Sequence, residues 1–174
     1  MNAIERVAAY MHEHSLKLVT AESCTAGLIA ATLADIPGAG ALLDCAFVAY
    51  SPQAKQKCLG VAARTLQRHN LTSEAVAREM ALGAARNSPA NVAISNTGVT
   101  DDTDPEIPAG TQCYAWVFKS GPADASPAIY TETARFEGDR NTIRRASAEH
   151  ALAQLIAYHK QWLDGARPSS SRSA

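Results

Sequence analysis

Residues 18–27 read LVTAESCTAG, and the way that stretch divides decides the fold. LKLVTA (16–21) is a short, apolar run of the kind that forms a buried strand. From Thr25 to about Asp35 the chain reads as a helix, and IPGAG stops it with proline and glycine. Glu22, Ser23, Cys24 and Thr25 fall at the hand-over from strand to helix. A serine there is ordinarily an N-cap, accepting from a backbone N–H two or three residues on. It can also be a nucleophile. Thr25 can cap the same helix and leave Ser23 redundant. The small Ala26 and Gly27 would let a substrate approach N–H groups able to hold a phosphate or an oxyanion.

Working outward, residues 2–14 form an amphipathic helix with Ile4, Val7, Ala8 and Met11 on one face and an Asn2/Glu5 capping box. CAFVAY (45–50) is a second apolar strand. Ser51-Pro52 then starts a helix that carries Lys55 in its opening turns and ends at Gly60. An irregular stretch leads to Thr72-Ser73, which caps a helix running to about Asn87. NVAISNTGV (91–99) is a third strand, and 100–110 is a polar loop. TQCYAWVF (111–118) and AIYTETARF (128–136) suggest an antiparallel hairpin. Residues 138–163 are the last long helix, with Ile143, Ala146, His150, Ala153 and Ala157 along one side. The expected organisation is one domain over 1–164 and a disordered tail over 165–174, which is poor in apolar residues.

Strands alternating with helices imply an α/β layered fold. The expected sheet is mixed and mostly parallel: strands one to three and five run together, and the fourth is antiparallel. The segments leaving those four parallel strands then share one sheet edge, where open α/β sheets bind ligands. Ser23, Tyr50, Ser51, Lys55, Thr97, Gly98 and the 138–145 segment meet there.

Composition narrows the function. The 174 residues are 47% apolar and carry a formal net charge of −1, which fits a folded domain and argues against a nucleic-acid binder. Cys24, Cys45, Cys58 and Cys113 show no C-x-x-C spacing, so a structural zinc site is not expected. Asp101, Asp102, Asp104 and Glu106 lack calcium-loop spacing and read as a solvated loop. The opening residues are amphipathic rather than a signal peptide, and no stretch approaches the roughly 20 apolar residues of a membrane helix. A cytoplasmic protein with free thiols is the expectation.

A serine nucleophile needs a base. His12, His14, His69, His150 and His159 do not fall at the shared edge, so a Ser-His-Asp triad has little support. Lysine is the known alternative when desolvation lowers its pKa. Lys55 is then either the base or an ordinary solvated helix lysine. Tyr50 either relays a proton or stacks on a substrate ring, or it anchors the sheet edge. Cys24 is a rival nucleophile, with buried packing the stronger reading. Arg140 and Arg144, spaced i, i+4, can grip a carboxylate or phosphate, or pair with local acids.

The segments TAESCTAG, FVAYSPQAKQKCLGV, TSEAVAREMALGA, SNTGV, PAGT and FEGDRNTIR, in that order over about residues 5–160, resemble the C-terminal domain family of the competence/damage-inducible protein CinA. That family includes stand-alone nicotinamide-nucleotide amidases. The resemblance implies a three-layer α/β/α sandwich. It also implies hydrolysis of the carboxamide of nicotinamide mononucleotide to nicotinate mononucleotide and ammonia, with no metal and no cofactor. By motif position Ser23 is the implied nucleophile and Lys55 the implied base, with Tyr50 beside it. Glu22, Thr25, Ala26, Gly27, Ser51, Thr97, Gly98, Arg140 and Arg144 are the implied substrate-binding residues, with backbone donors of 23–27 holding the oxyanion. The expected partners are a small nucleotide or amide substrate and further copies of the chain, with no nucleic acid and no membrane. Larger family members carry an additional N-terminal domain that nothing here matches.

Two departures stand out. A glycine-rich loop usual after T-G is replaced by TDDTDPE (100–106), and the usual glycine pair reads Ala26-Gly27. Aspartates in that loop put negative charge where a nucleotide phosphate would lie. The alternative expectation is therefore a divergent paralogue that binds a nucleotide or regulates a partner without amidase activity.

Overall fold

The strand–turn–helix reading of 18–35 sets an interior strand of the sheet. The computed structural model describes residues 1–121 and 124–166. Its elements are α1 (Ala3–Glu13), β1 (Leu18–Glu22), α2 (Leu28–Ala34), β2 (Leu43–Val48), α3 (Pro52–Leu59), α4 (Ala63–Arg68) and α5 (Glu74–Arg86). They continue with β3 (Val92–Gly98), β4 (Thr111–Phe118), β5 (Ala128–Arg135) and α6 (Arg140–Ala166). The strands lie in the order β2-β1-β3-β4-β5. β1 pairs parallel with β2 and β3, and β4 pairs antiparallel with β3 and β5. This is the mixed, mostly parallel α/β sheet that the alternation of elements implied.

The two faces of the sheet follow from strand alternation, which sends successive side chains to opposite sides. Leu18, Val92, Ile94, Tyr114, Trp116 and Phe118 point to one side. There they pack on Val7 and Met11 of α1, Ile29 and Leu33 of α2, and Leu152 and Leu155 of α6. Val19, Ala21, Ala93, Ala115 and Val117 point to the other, against Leu59 of α3 and Val76, Ala77, Met80 and Ala84 of α5. Aromatic bulk fills the first layer. Alanines thin the second and let α5 sit close to the sheet. α3 and α5 also approach closely, since a Cβ on Gly83 would clash with the Leu59 carbonyl oxygen.

Several boundaries differ from the sequence expectation, each for a physical reason. α2 begins at Leu28 rather than Thr25, because Ala26 (φ 48°) and Gly27 (φ 95°) both take left-handed backbone before it. α4 falls in the stretch read as irregular. Ala62 gives it no side-chain cap, and instead Glu79 of α5 accepts from the Ala62 amide (2.7 Å) and the Thr65 hydroxyl (2.6 Å). The buried stripe of α6 is Ile143, Ser147, Ala148, Ala151, Leu152, Leu155 and His159, so Ala153 and Ala157 are exposed rather than core. Gly165 and Ala166, expected in a disordered tail, close α6, and 167–174 lie outside the described residues. The capping box at Asn2 and the Ser51 cap with Pro52 in the first turn form as expected. Among the described residues no helix is long and apolar enough to cross a membrane.

The α3–α5 contact gives a direct test. Gly83→Ala should destabilise the fold by about 3 kcal/mol, the upper range for overpacking, because the new methyl meets backbone and not a side chain that can rotate away. Urea denaturation of the variant against wild type measures it.

Candidate active site

The site starts from a buried acid. Glu22 ends β1 with no solvent exposure, and its carboxylate turns back onto the start of α2. Oε2 accepts from the Thr25 hydroxyl (2.7 Å), the Gly27 amide (2.8 Å) and the Ile29 amide (3.0 Å). Oε1 accepts from the Ala30 amide (3.0 Å). A helix N-terminus leaves its first amides without intrahelical partners and carries partial positive charge, so a carboxylate there satisfies both. Neither Thr25 nor Ser23 caps α2. Glu22 does.

That arrangement corrects part of the anion-pocket expectation. The Ser23 amide donates to the Asn96 carbonyl, the Thr25 amide to Asn96 Oδ1, and the Ala26 amide to the Ser23 carbonyl. With Gly27 committed to Glu22, the N-terminus of α2 is closed to a substrate anion. Cys24 holds the remaining amide of the turn, without an intramolecular acceptor among the described residues. Thr25 is fully buried, and Glu22, Thr25, Ala26 and Gly27 do not line the cleft described below. Their part is to shape the turn.

With its amide-capping duty taken by Glu22, the Ser23 side chain points elsewhere. Its Oγ lies 2.9 Å from Lys55 Nζ. Lys55 is one turn into α3, and that helix begins just after β2 at the same sheet edge. The lysine is 1% exposed and its other hydrogen bonds run to the Ala49 carbonyl (2.9 Å) and the Tyr50 carbonyl (3.0 Å). Among the described residues no carboxylate pairs with it. Burial without a counter-ion disfavours the ammonium, and its pKa falls from 10.5 to about 8. Lys57, two residues on, is exposed, so the helix face separates the two lysines.

Ser23 and Lys55 line a cleft of about 540 Å³ together with Cys24, Tyr50, Thr97 and Gly98. Its remaining wall is the Asn70–Thr72 connection between α4 and α5, Val99, and Thr103–Glu106 of the polar loop. The sequence reading missed Asn70–Thr72. The one signal there was the cap at Thr72-Ser73, which marks the end of that connection. Tyr50 contributes its backbone carbonyl to Lys55, while its phenol hydroxyl accepts from Arg140 Nη2 (3.3 Å), so the hydroxyl meets neither Ser23 nor Lys55 as a relay would. Ser51 is occupied as the cap of α3, accepting from the Ala54 amide.

The two arginines are structural clamps in this geometry. Arg144 donates to the carbonyls of Cys24 (2.9 Å) and Thr25 (3.2 Å) and pins the turn to α6. Arg140 donates to the Thr100 hydroxyl (2.9 Å) and stands 3.6 Å from Asp101, tying the polar loop to the start of α6. Beneath the turn lies a buried amide network. Asn96 Nδ2 donates to Gln112 Oε1 (2.9 Å), and Gln112 Nε2 donates to the Val99 carbonyl (3.0 Å) and towards Cys24 Sγ (3.4 Å). These two amides hold the turn from below, and no local sequence pattern marks them. Cys24 is buried and its thiol is pushed up by desolvation, so it is a poor thiolate. His150 pairs with Glu132 and His159 with Tyr10, both outside the cleft. No group of His, Cys, Asp and Glu among the described residues is arranged to hold a metal.

Comparison with known proteins agrees with this architecture. The family model described as the CinA C-terminal domain matches residues 2–159. A putative competence-damage inducible protein of Symbiobacterium thermophilum is 39% identical over 92% of this chain, which spans 38% of that protein. The chain thus covers well under half the length of several curated relatives. A protein named nicotinamide-nucleotide amidohydrolase PncC, from Escherichia coli K12, is 35% identical over 89% of this chain and 92% of its own length. The solved competence damage-inducible protein A of Klebsiella pneumoniae superposes with a TM-score of 0.84 at 32% identity, covering 92% of this chain and 96% of that one.

Two measurements separate the roles of the buried charges. Glu22→Ala leaves four donors without their acceptor and should cost about 3 kcal/mol or more by urea denaturation. Lys55 has the opposite sign. Its pKa is depressed in the folded state, so between about pH 8 and 10.5 the unfolded chain binds more protons and wild-type stability gains from this group as pH rises. Lys55→Met lacks that gain. The stability of wild type relative to Lys55→Met should therefore increase from pH 7 to pH 10.

Proposed function

This chain belongs to the CinA C-terminal domain family, and from that premise we propose that it is a metal-independent amidohydrolase using Ser23 as nucleophile and Lys55 as general base. The substrate class is a small linear carboxamide of the kind named for its Escherichia coli relative, a nicotinamide nucleotide, with the acid and ammonia as products. The observation that carries the proposal is the 2.9 Å contact between Ser23 Oγ and a buried lysine amine with no counter-ion, opening on a cleft.

The chemistry follows from that contact. With a pKa of about 8, roughly a tenth of Lys55 is the neutral amine at pH 7. The neutral amine accepts the Ser23 proton as Oγ attacks the carboxamide carbon, and the carbonyl π electrons move onto oxygen. The Cys24 amide supplies a donor for that oxyanion, and one such donor is worth roughly 10²–10³ in rate. The Lys55 ammonium then returns its proton to the leaving nitrogen, and the C–N bond breaks to release ammonia. Water then attacks the acyl-serine as the neutral Lys55 amine takes its proton. The resulting tetrahedral intermediate collapses with cleavage of the carbonyl C–Oγ bond, the Lys55 ammonium returning the proton to Ser23 Oγ as the acid is freed. The Ala49 and Tyr50 carbonyls hold Nζ in place through both protonation states. The reading extends to a cytoplasmic, self-associating enzyme. Four free cysteines accord with a reducing compartment, and edge strand β2 leaves Val48 exposed.

Ammonia release from a panel of carboxamides tests the proposal. Ser23→Ala should lower turnover by about 10⁴ or more. Lys55→Arg should be inactive at every pH, because guanidinium does not give up its proton in this range. Wild-type kcat/KM should rise with pH and level off above about 8. Equal rates for wild type and Ser23→Ala would overturn the mechanism. Ligand-dependent thermal stabilisation without ammonia would point to the non-catalytic binding role.

A further inference from the structure

The nucleophile turn is held peptide by peptide, and the pattern singles out one donor. In a trans peptide the C=O and the N–H point in opposite directions, so fixing one aims the other. The Ser23 carbonyl accepts from the Ala26 amide (3.0 Å), which turns the Cys24 N–H of the same peptide away from Ala26. The next peptide is gripped at both edges. The Cys24 carbonyl accepts from Arg144 Nε (2.9 Å), and the Thr25 amide donates to Asn96 Oδ1 (3.0 Å). The two peptide planes meet at the Cys24 Cα, so both set the direction of the Cys24 N–H. Cys24 lines the cleft beside Ser23, and its amide is the donor of the turn left without an acceptor among the described residues.

Asn96 can grip that peptide in only one of its two orientations. A side-chain amide presents an acceptor at one end and donors at the other, and turning it over would set an NH2 against the Thr25 N–H. A chain of fully buried groups decides the matter. Asn96 Nδ2 donates to Gln112 Oε1 (2.9 Å) and Ser147 Oγ (3.2 Å), so its oxygen faces Thr25. Gln112 has the same ambiguity. Its Nε2 donates to the Val99 carbonyl (3.0 Å), which can only accept, and that leaves Oε1 for Asn96. Gln112 has no room to swing aside, because it packs on Gly98, where even a Cβ would clash with its amide. Orientation is thus passed from a backbone carbonyl in the cleft wall, through two amides, to the turn.

Resting on the amidohydrolase reading of this cleft, we infer that Asn96 and Gln112 are positioning residues for the oxyanion donor. Through the Thr25 amide they hold the 24–25 peptide so that the Cys24 N–H meets the charge developing on the substrate carbonyl oxygen. Neither side chain touches the reacting atoms. A donor aimed at developing charge acts on the transition state more than on the bound substrate, so its misalignment lowers kcat and leaves KM nearly unchanged. The Asn96 backbone carbonyl, which accepts from the Ser23 amide, is untouched by a side-chain substitution, so the nucleophile itself stays in place.

The test compares turnover of nicotinamide mononucleotide with the binding of a tetrahedral mimic, pyridine-3-boronic acid. Its boron takes an electron pair from Ser23 Oγ while the serine proton passes to Lys55, and one boronate oxygen then stands where the oxyanion would. Asn96→Leu should lower kcat by about tenfold to a hundredfold, change KM by less than about threefold, and weaken boronate binding by a factor similar to the loss in kcat. Gln112→Met should do the same to a smaller degree. Gln112→Glu should recover towards wild type, because a buried carboxyl stays protonated, donating to the Val99 carbonyl and accepting from Asn96 as the amide does. A merely structural role lowers the number of active molecules and leaves the boronate inhibition constant unchanged. Thermal unfolding checks that each variant is folded, and where Asn96→Leu is not, the two Gln112 variants decide. Unchanged kcat and boronate affinity, or equal losses in Gln112→Met and Gln112→Glu, would overturn the inference while ammonia release by wild type keeps the hydrolase. Boronate binding that weakens in the variants without any ammonia from wild type keeps the positioning role and removes the hydrolase. Neither ammonia nor a Ser23 boronate adduct in wild type removes both.

Discussion

The carboxylate of Glu22 is the interaction on which the rest of the site depends. It is fully buried at the end of β1, an interior strand, where an unpaired carboxylate would be costly, and four donors from the turn and the start of α2 surround it. The helix needs an acceptor at that end and the acid needs donors, so each resolves the other. The geometry also leaves only one course for the intervening chain. Residues 23–27 must loop tightly between strand and helix, with Ala26 and Gly27 in left-handed conformation. Ser23 is thereby lifted to the sheet edge with its side chain free of capping duty.

A second buried charge is treated in the opposite way. Lys55 lies near the positive end of its own helix and meets two carbonyls and a hydroxyl, but no acid. The protein satisfies the buried anion completely and leaves the buried cation short of compensation. The asymmetry makes one a scaffold and suits the other to the role of base proposed for it. A lysine paired with a carboxylate would hold its proton too firmly to accept one from serine. The depressed pKa of about 8 costs stability at neutral pH, which is the usual relation between a strained functional group and the fold that keeps it.

The periodic elements were legible because their signals are local. The Asn2 capping box, the Ser51-Pro52 helix start and the alternating strands each depend on residues a few positions apart. α4 was not legible because its N-terminus is satisfied by Glu79, which arrives from another helix. The α6 stripe was misplaced because small alanines occur on several of its faces, and which face is buried depends on what packs there. Within the site, Ser23 and Lys55 stood out by residue type and topology. Motif position implies Glu22, Arg140 and Arg144 as substrate contacts, and in the fold the side chain of each already has hydrogen-bond partners. Asn96 and Gln112 carry no motif at all, since a buried amide is recognised only by what surrounds it.

By itself, then, the sequence determined the order of strands and helices apart from α4, the hand-over at 22–25 and the presence of a serine and a lysine at one edge. Those features follow from local periodicity, caps and chain direction. Only the tertiary structure decided which acid closes α2, that Lys55 is buried without a counter-ion, and that residues 103–106 form a wall of the cleft. Each of those is a matter of what lies within a few ångströms in space, whether the partner is a few residues away in the chain, as for Glu22, or tens of residues away, as for Lys55 and Ser23. Proton affinity is set by those neighbours, and residue type alone does not supply it.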